Sequence, residues 1–197
     1  HQQMFLKMFL IGDAEVGKTA LIERFVNNKF PETYKPTIGA DFVSKQFKIN
    51  EVEVDLQVWD SAGQERFQSL GEAFYRGSDG CAFVYSTKNM STFEKLDELY
   101  DSFVLQLSNP EIVPFILLGN RTDEGDSVIP EAKINDWCKE RGAIPHFLVS
   151  ARLDTNVTDA FEEITRKMIR CQEPTEEEEK VEPDVEPPNC ANECPAV

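Results

Sequence analysis

The chain is short of positive charge: 20 lysines and arginines stand against 36 acids, a formal net charge of −16. That balance argues against broad nucleic-acid binding, which needs a basic face. Long apolar runs are missing too. None approaches the roughly 18 residues of a membrane span, and the start lacks the apolar region of a signal peptide. The five cysteines, Cys81, Cys138, Cys171, Cys190 and Cys194, form an odd set without metal-ligand spacing. The first three fall in expected elements of a core that needs no disulfides, so reduced thiols in a cytosolic chain are expected. What is present in quantity is apolar residues, 41% of the chain, enough for one compact domain at 197 residues.

The organising stretch is Met8-Phe9-Leu10-Ile11 running into Gly12-Asp13-Ala14-Glu15-Val16-Gly17-Lys18-Thr19, then Ala20-Leu21-Ile22-Glu23-Arg24-Phe25. It reads as a buried strand, a glycine-bounded loop and the first turns of a helix, the context that a phosphate-binding loop requires. Successive N–H groups there wrap an anion at the helix N-terminus, where the dipole favours negative charge. In that arrangement Lys18 reaches the β- and γ-phosphates and the Thr19 hydroxyl ligates Mg²⁺.

Beyond the first helix, Lys29 to Gly39 contains two prolines and no regular period, a loop and a mobile one. Asp41–Asn50 and Glu51–Trp59 alternate (Phe42, Phe47, Ile49; Val52, Val54, Leu56, Val58) and predict an antiparallel hairpin ending at Asp60-Ser61-Ala62-Gly63-Gln64. A weak helical pattern covers Arg66–Arg76. Strand and helix then alternate: strand Gly80–Tyr85, helix Thr92–Leu107, strand Val113–Leu118, helix Pro130–Arg141, strand Ile144–Val149, and helix Thr155–Ile169 capped by Thr155 or Asn156. This order predicts an α/β fold, a six-stranded mainly parallel sheet with one antiparallel edge strand and helices on both faces. Ligands of such sheets sit at the carboxyl ends of the strands. The loops after Ile11, after Trp59, at Gly119-Asn120-Arg121-Thr122-Asp123 and at Ser150-Ala151-Arg152 should open there together.

Residues 1–4 are set aside as an N-terminal extension, 5–171 form the domain, and 172–197 are expected to be a disordered acidic tail. The tail holds nine acids against one lysine, half of the net charge, and Pro174, Pro183, Pro187 and Pro188 forbid a helix there. Cys190 and Cys194 close to its end are candidate lipid-attachment sites, although Pro195 and the terminal Val197 fit the usual prenylation box poorly.

Together these motifs resemble a small GTPase of the Ras superfamily, over residues 5 to about 170. The fold is then that of P-loop NTPases, and the ligands are GTP or GDP with Mg²⁺. The guanine assignment rests on Asp123: a carboxylate there pairs with the ring N–H and the exocyclic amino group of guanine, and adenine offers no such donor pair. The resemblance implies that the loop from Asp13 to Ala20 binds phosphates, that Asn120 braces the site, and that the Ala151 N–H, flanked by Ser150 and Arg152, meets the guanine carbonyl. It also implies that Phe30 stacks across the base and that Tyr34 lines the site. Thr37 is similar to the threonine that reaches Mg²⁺ and the γ-phosphate; Asp60 holds a metal water, Gly63 donates its N–H to the γ-phosphate, and Gln64 orients the attacking water. Lys18, Thr37 and Gln64 are thus the catalytic candidates, positioning and neutralising charge. No arginine of the first switch loop is placed as a finger, so unaided turnover should be slow, about 10⁻² s⁻¹ or below.

The loops themselves look Rab-like, in Ile38-Gly39-Ala40-Asp41-Phe42, Trp59 to Phe67 and Tyr75-Arg76-Gly77, and most like the late-endosomal and lysosomal Rabs. Phe42, Trp59 and Phe74 match the aromatic triad through which Rabs meet effectors; ordinary core packing is the alternative. The resemblance implies a monomeric switch in endosomal, lysosomal or phagosomal vesicle trafficking. Its partners would be an exchange factor, a GTPase-activating protein, effectors, and a GDP-dissociation inhibitor or escort protein. It would cycle between cytoplasm and the cytosolic face of late endosomal or lysosomal membranes, held by C-terminal lipid. The competing reading is a nucleotide-locked docking module with negligible hydrolysis; an ATPase or nucleotide kinase lacks support because Asp123 selects guanine.

The chain departs from the family at Glu15, where a small uncharged residue is usual, and at Arg121 and Arg152, where lysines are usual. An acid beside the phosphates should weaken nucleotide retention. Glu15→Gly is therefore expected to release GDP several-fold more slowly than wild type in a dissociation assay, and equal off-rates would remove the idea.

Overall fold

The computed structural model describes residues 3–32, 40–61 and 75–173. Six strands form one sheet in the order β2-β3-β1-β4-β5-β6: β1 Gln3–Gly12, β2 Ala40–Ile49, β3 Val52–Ser61, β4 Gly80–Ser86, β5 Phe115–Asn120 and β6 His146–Leu148. All neighbours are parallel except β2 and β3, so the expected antiparallel edge is present. The hairpin turns at Asn50 and Glu51, both with positive φ (47° and 67°), the two-residue geometry that matches strand twist.

Helices α1 (Lys18–Asn27) and α5 (Val157–Gln172) cover one face, and α3 (Leu96–Val104) and α4 (Glu131–Glu140) the other. The central strands are apolar on both faces, which alternation in β1 shows directly: Leu6, Met8 and Leu10 enter the first core, Phe9 and Ile11 the second. In the first core Phe25 stacks on Phe161 at 4.2 Å. That contact joins the helix after the phosphate-type loop to the closing helix.

Boundaries shift for local reasons. β1 begins at Gln3, so Gln3 and Met4 pair with Glu53 and Val54 rather than standing outside the sheet. β5 and β6 start at Phe115 and His146 because Pro114 and Pro145 have no N–H to give; their carbonyls accept from Cys81 and Leu117 instead. The single helix expected over Thr92–Leu107 is two: α2 (Met90–Glu94), capped when Asn89 Oδ1 accepts from the Ser91 N–H at 3.0 Å, and α3, separated at Lys95. The Thr92 hydroxyl instead accepts from the Ser86 N–H. Asn156 stands at the cap position of α5 but does not cap it: its amide donates to the Leu148 carbonyl at 2.9 Å, and the helix runs on to Gln172. Phe42, grouped above with Phe47 and Ile49, lies on the opposite face of β2, in register with Trp59. Most of the segments expected as the Lys29–Gly39 loop and the Arg66–Arg76 helix lie outside the described residues.

At the amino end of the sheet Asp79 gathers three elements. Its N–H donates to the Lys7 carbonyl at 2.7 Å, and its carboxylate accepts from the Lys7 N–H at 2.8 Å and from Gln172 Nε2 at 2.6 Å. Burial pushes the Asp79 carboxyl up, and these donors draw it back.

Across β4, β5 and β6 the Tyr85 ring lies over Gly119, where an added Cβ would stand 2.6 Å from the Tyr85 hydroxyl. The hydroxyl reaches His146 Nε2 at 2.8 Å. Burial lowers the imidazole from 6.5 to about 4. Between those values the unfolded chain binds a proton that the folded chain refuses, so stability is lost as pH falls through that window. The loss is at most about 3 kcal/mol, because the ring is not wholly out of water. Urea titrations at pH 7 and pH 4.5 should show a smaller pH-dependent loss for His146→Gln than for wild type; equal losses would exclude the ring as the cause.

Candidate functional site

Among the described residues, the loops after β1, β5 and β6 meet the end of β3 at the carboxyl edge of the sheet. β1 lies between β3 and β4, so the chain leaves it toward one side through α1 and returns on the other, the point where such sheets open a crevice. The loop after β1 is held by buried Val16 and closed by Gly17, whose φ of 94° suits glycine and whose Cβ, if present, would lie 2.3 Å from Asn120 Nδ2. Gly17 gives α1 no side-chain cap, so the first-turn N–H groups remain for an anion at the helix N-terminus. Glu15 also holds positive φ, 64°, and its side chain is exposed at the lip. Ala14 donates its N–H to Asp13 Oδ1 at 2.8 Å.

Lys18 is only 7% exposed, and its ammonium donates to the Gly12 and Asp13 carbonyls at 2.9 Å each. Burial lowers its pKa, opposed by the negative charges of Asp60 and Asp13. A cation so placed, its charge supported by two acids, can meet phosphate oxygens in the loop. Asp60, near the end of β3, pairs in register with Leu10 of β1, which brings its carboxylate to the start of α1. There Asp60 Oδ2 accepts a hydrogen bond from the Thr19 hydroxyl. Hydroxyl and carboxylate are hard oxygen donors that suit Mg²⁺. Among the described residues no group of three or more His, Cys, Asp or Glu could hold a metal. A divalent ion at this pair would draw its remaining ligands from phosphate and water, as Mg²⁺ commonly does.

Asn120, the last residue of β5 and 3% exposed, links two loops: its Nδ2 donates to the Val16 carbonyl at 2.9 Å and its Oδ1 accepts from the Ala151 N–H at 3.3 Å. That second bond is long enough to be shared with another acceptor. Arg121, with φ of 71°, donates to the Glu15 carbonyl at 2.6 Å and pairs with Glu124 at 3.4 Å. Asp123 sits in a 3₁₀ turn, Thr122–Glu124, and its Oδ1 accepts from the Ser150 hydroxyl at 2.8 Å, which fixes the plane of the carboxylate. Ser150 and Ala151 are buried, Arg152 is exposed, and Phe30, three residues beyond the end of α1, is 42% exposed.

So Asp13 to Ala20, Asp60, Asn120, Arg121, Asp123, Ser150, Ala151 and Arg152 are brought to one edge. Tyr34, Thr37, Gly63, Gln64, Phe74, Cys190 and Cys194 lie outside the described residues. Of the aromatic triad, Phe42 stacks on Trp59 at 4.7 Å and Trp59 on Phe9 at 5.9 Å, with the Lys7 ammonium 4.8 Å from the Trp59 ring. Phe42 is 45% exposed, an outer ring on a stack rooted in the core. Sequence reading missed Arg24, whose guanidinium donates to the Ala151 carbonyl at 2.8 Å and the Arg152 carbonyl at 3.0 Å. On the polar face of a helix nothing local marks it out from a solvated cation.

Comparison with known proteins agrees with this geometry. The Ras family model matches residues 7–170. The chain is 49% identical to Ras-related protein RABG3b of Arabidopsis thaliana over 170 residues, 84% of each chain. It is 48% identical to the Ypt/Rab-type GTPase ypt7 of Schizosaccharomyces pombe over 165 residues, 82% of this chain and 80% of that one. With Ras-related protein Rab-7a of Dictyostelium discoideum the identity is 43% over 175 residues, 87% of this chain and 86% of that one. The chain therefore belongs to the Ras family, as a Rab-type small GTPase that binds and hydrolyses GTP and is most similar to the late-endosomal Rabs.

Proposed function

We propose that this GTPase directs vesicle traffic in the endosomal and lysosomal pathway, using the crevice as a guanine-nucleotide and Mg²⁺ site whose γ-phosphate sets the shape of two loops. The observation that carries it is the base-recognition end: Asp123 oriented by Ser150, beside an Ala151 N–H placed by Asn120. The carboxylate pairs with the ring N–H and amino group of guanine, and Ala151 with its carbonyl, while Phe30 and Tyr34 flank the base and ribose and Arg121 and Arg152 lie along it. Asp13 to Ala20 enclose the phosphates, and Lys18 neutralises their charge.

Thr19, Asp60 and Thr37 would hold Mg²⁺, Asp60 through a bound water. When bound, the ion supplies charge stabilisation of the β- and γ-phosphate oxygens. Gln64 orients the attacking water. Because Thr37 and Gly63 both answer to the γ-phosphate, its loss releases both segments, and the output is a changed surface rather than a metabolite. Phe42, Trp59 and Phe74 form part of that surface. As a Rab-type protein the chain works with an exchange factor, a GTPase-activating protein, effectors and a GDP-dissociation inhibitor or escort protein. Residues 5–171 carry the switch. The tail, 172–197, tethers it to late-endosomal or lysosomal membranes through lipid on Cys190 and Cys194, two chains being needed where the tail offers almost no basic charge.

The base assignment is tested by Asp123→Asn. An amide can match the N–H and C2 carbonyl of xanthine but not the two donors of guanine, so preference for GDP over XDP in competition binding should fall on the order of 10⁴-fold or reverse. Unchanged preference would refute the assignment. The metal assignment is tested by chelation: EDTA should speed GDP release from wild type at least about tenfold. Thr19→Ala should release GDP at that faster rate with Mg²⁺ present and respond little to EDTA, and a full EDTA response in this variant would remove Thr19 from the metal.

A further inference from the structure

We propose that Arg24 is a positioning residue for guanine recognition, holding the Ala151–Arg152 turn where the Ala151 N–H meets the base carbonyl. This deepens the function just proposed and rests on its assignment of Ala151. The guanidinium of Arg24, on α1, donates to three backbone carbonyls. Nε donates to Ala151 at 2.8 Å, Nη2 to Arg152 at 3.0 Å, and Nη1 to Asn28 at 3.1 Å. Asn28 is the left-handed cap of α1, φ 54°, so the third bond fixes the guanidinium plane against the end of its own helix.

The turn needs such a hold. Ser150 and Thr155 close it with mutual backbone bonds of 3.1 and 3.0 Å, and its tip, Leu153, is 65% exposed. Ala151 is held at the two peptide groups that flank its Cα, by the Asn120 carboxamide at its N–H and by Arg24 at its carbonyl. A rigid planar fork satisfies adjacent carbonyls in a way that a point charge on a flexible stem does not. Because Arg24 belongs to the helix that starts in the phosphate loop, the guanidinium also sets the distance between the phosphate and base ends of the crevice.

A simple brace for the fold would strengthen binding of every purine nucleotide alike, whereas a residue that places one N–H acts on one acceptor. The test compares GDP with 6-thio-GDP, which keeps the ring N–H and amino group but replaces the carbonyl oxygen with sulfur, a weak acceptor. Dissociation rates are measured from the full-length, nucleotide-loaded protein, so only folded molecules contribute. Wild type should hold GDP longer than 6-thio-GDP. In Arg24→Gln, GDP release should accelerate about tenfold and 6-thio-GDP release much less, so the ratio of the two rates moves toward one. Arg24→Lys, able to satisfy one carbonyl, should fall between. Equal acceleration of both nucleotides, no acceleration of either, or a lysine variant as retentive as wild type overturns the positioning role. A wild type that does not distinguish the two nucleotides overturns the Ala151 assignment together with it.

Discussion

One buried carboxamide holds the crevice together. Asn120 comes from the end of β5, yet it bonds the loop that follows β1 and the loop that follows β6. Neither loop is adjacent to it in sequence, and both are positioned by the strand order, which places β4 and β5 between the first strand and the last. A buried donor and acceptor both require partners, and losing one would leave the other at a cost of about 1–3 kcal/mol. The close approach also explains Gly17, since any side chain there would displace the Asn120 amide.

Around that link the site is built from tensions between neighbouring groups. Lys18 is buried and would shed its proton more readily but for Asp60 and Asp13. Glu15 occupies a left-handed conformation that glycine adopts freely, and its carbonyl is captured by Arg121 at 2.6 Å. Arginine at this position reaches the loop and Glu124 with one planar group, a geometry that an ammonium would have to choose between. The departure at Glu15 and the departure at Arg121 are therefore in contact, and their effects on nucleotide retention should not simply add.

Much of this was legible in the residues themselves. The apolar run Met8–Ile11 followed by Gly12 to Thr19 could be read as strand, loop and helix because period and glycine placement are local properties. The hairpin was legible for the same reason, and so was the convergence of the loops after β1, β5 and β6 on the end of β3, since strand-helix alternation leaves few topologies. Prolines moved two strand starts by two residues each, and Asn156 gave its amide to Leu148 rather than to the helix it precedes, outcomes decided by tertiary partners. Phe42, grouped with Phe47 and Ile49 in one alternating run, differs from them in parity and so lies on the other face of β2, beside Trp59. Arg24 was invisible: its partners are 127 and 128 residues away, and no period or motif encodes such a contact.

The knot at Asp79 bears on orientation. It fastens the last residue of α5, Gln172, beside the start of β4, at the rim of the sheet farthest from the phosphate loop. The polypeptide thus departs from the pole opposite the ligand. A pull on the chain beyond Gln172 would therefore meet the Asp79 bonds first, with the length of the sheet between them and the loops of the crevice.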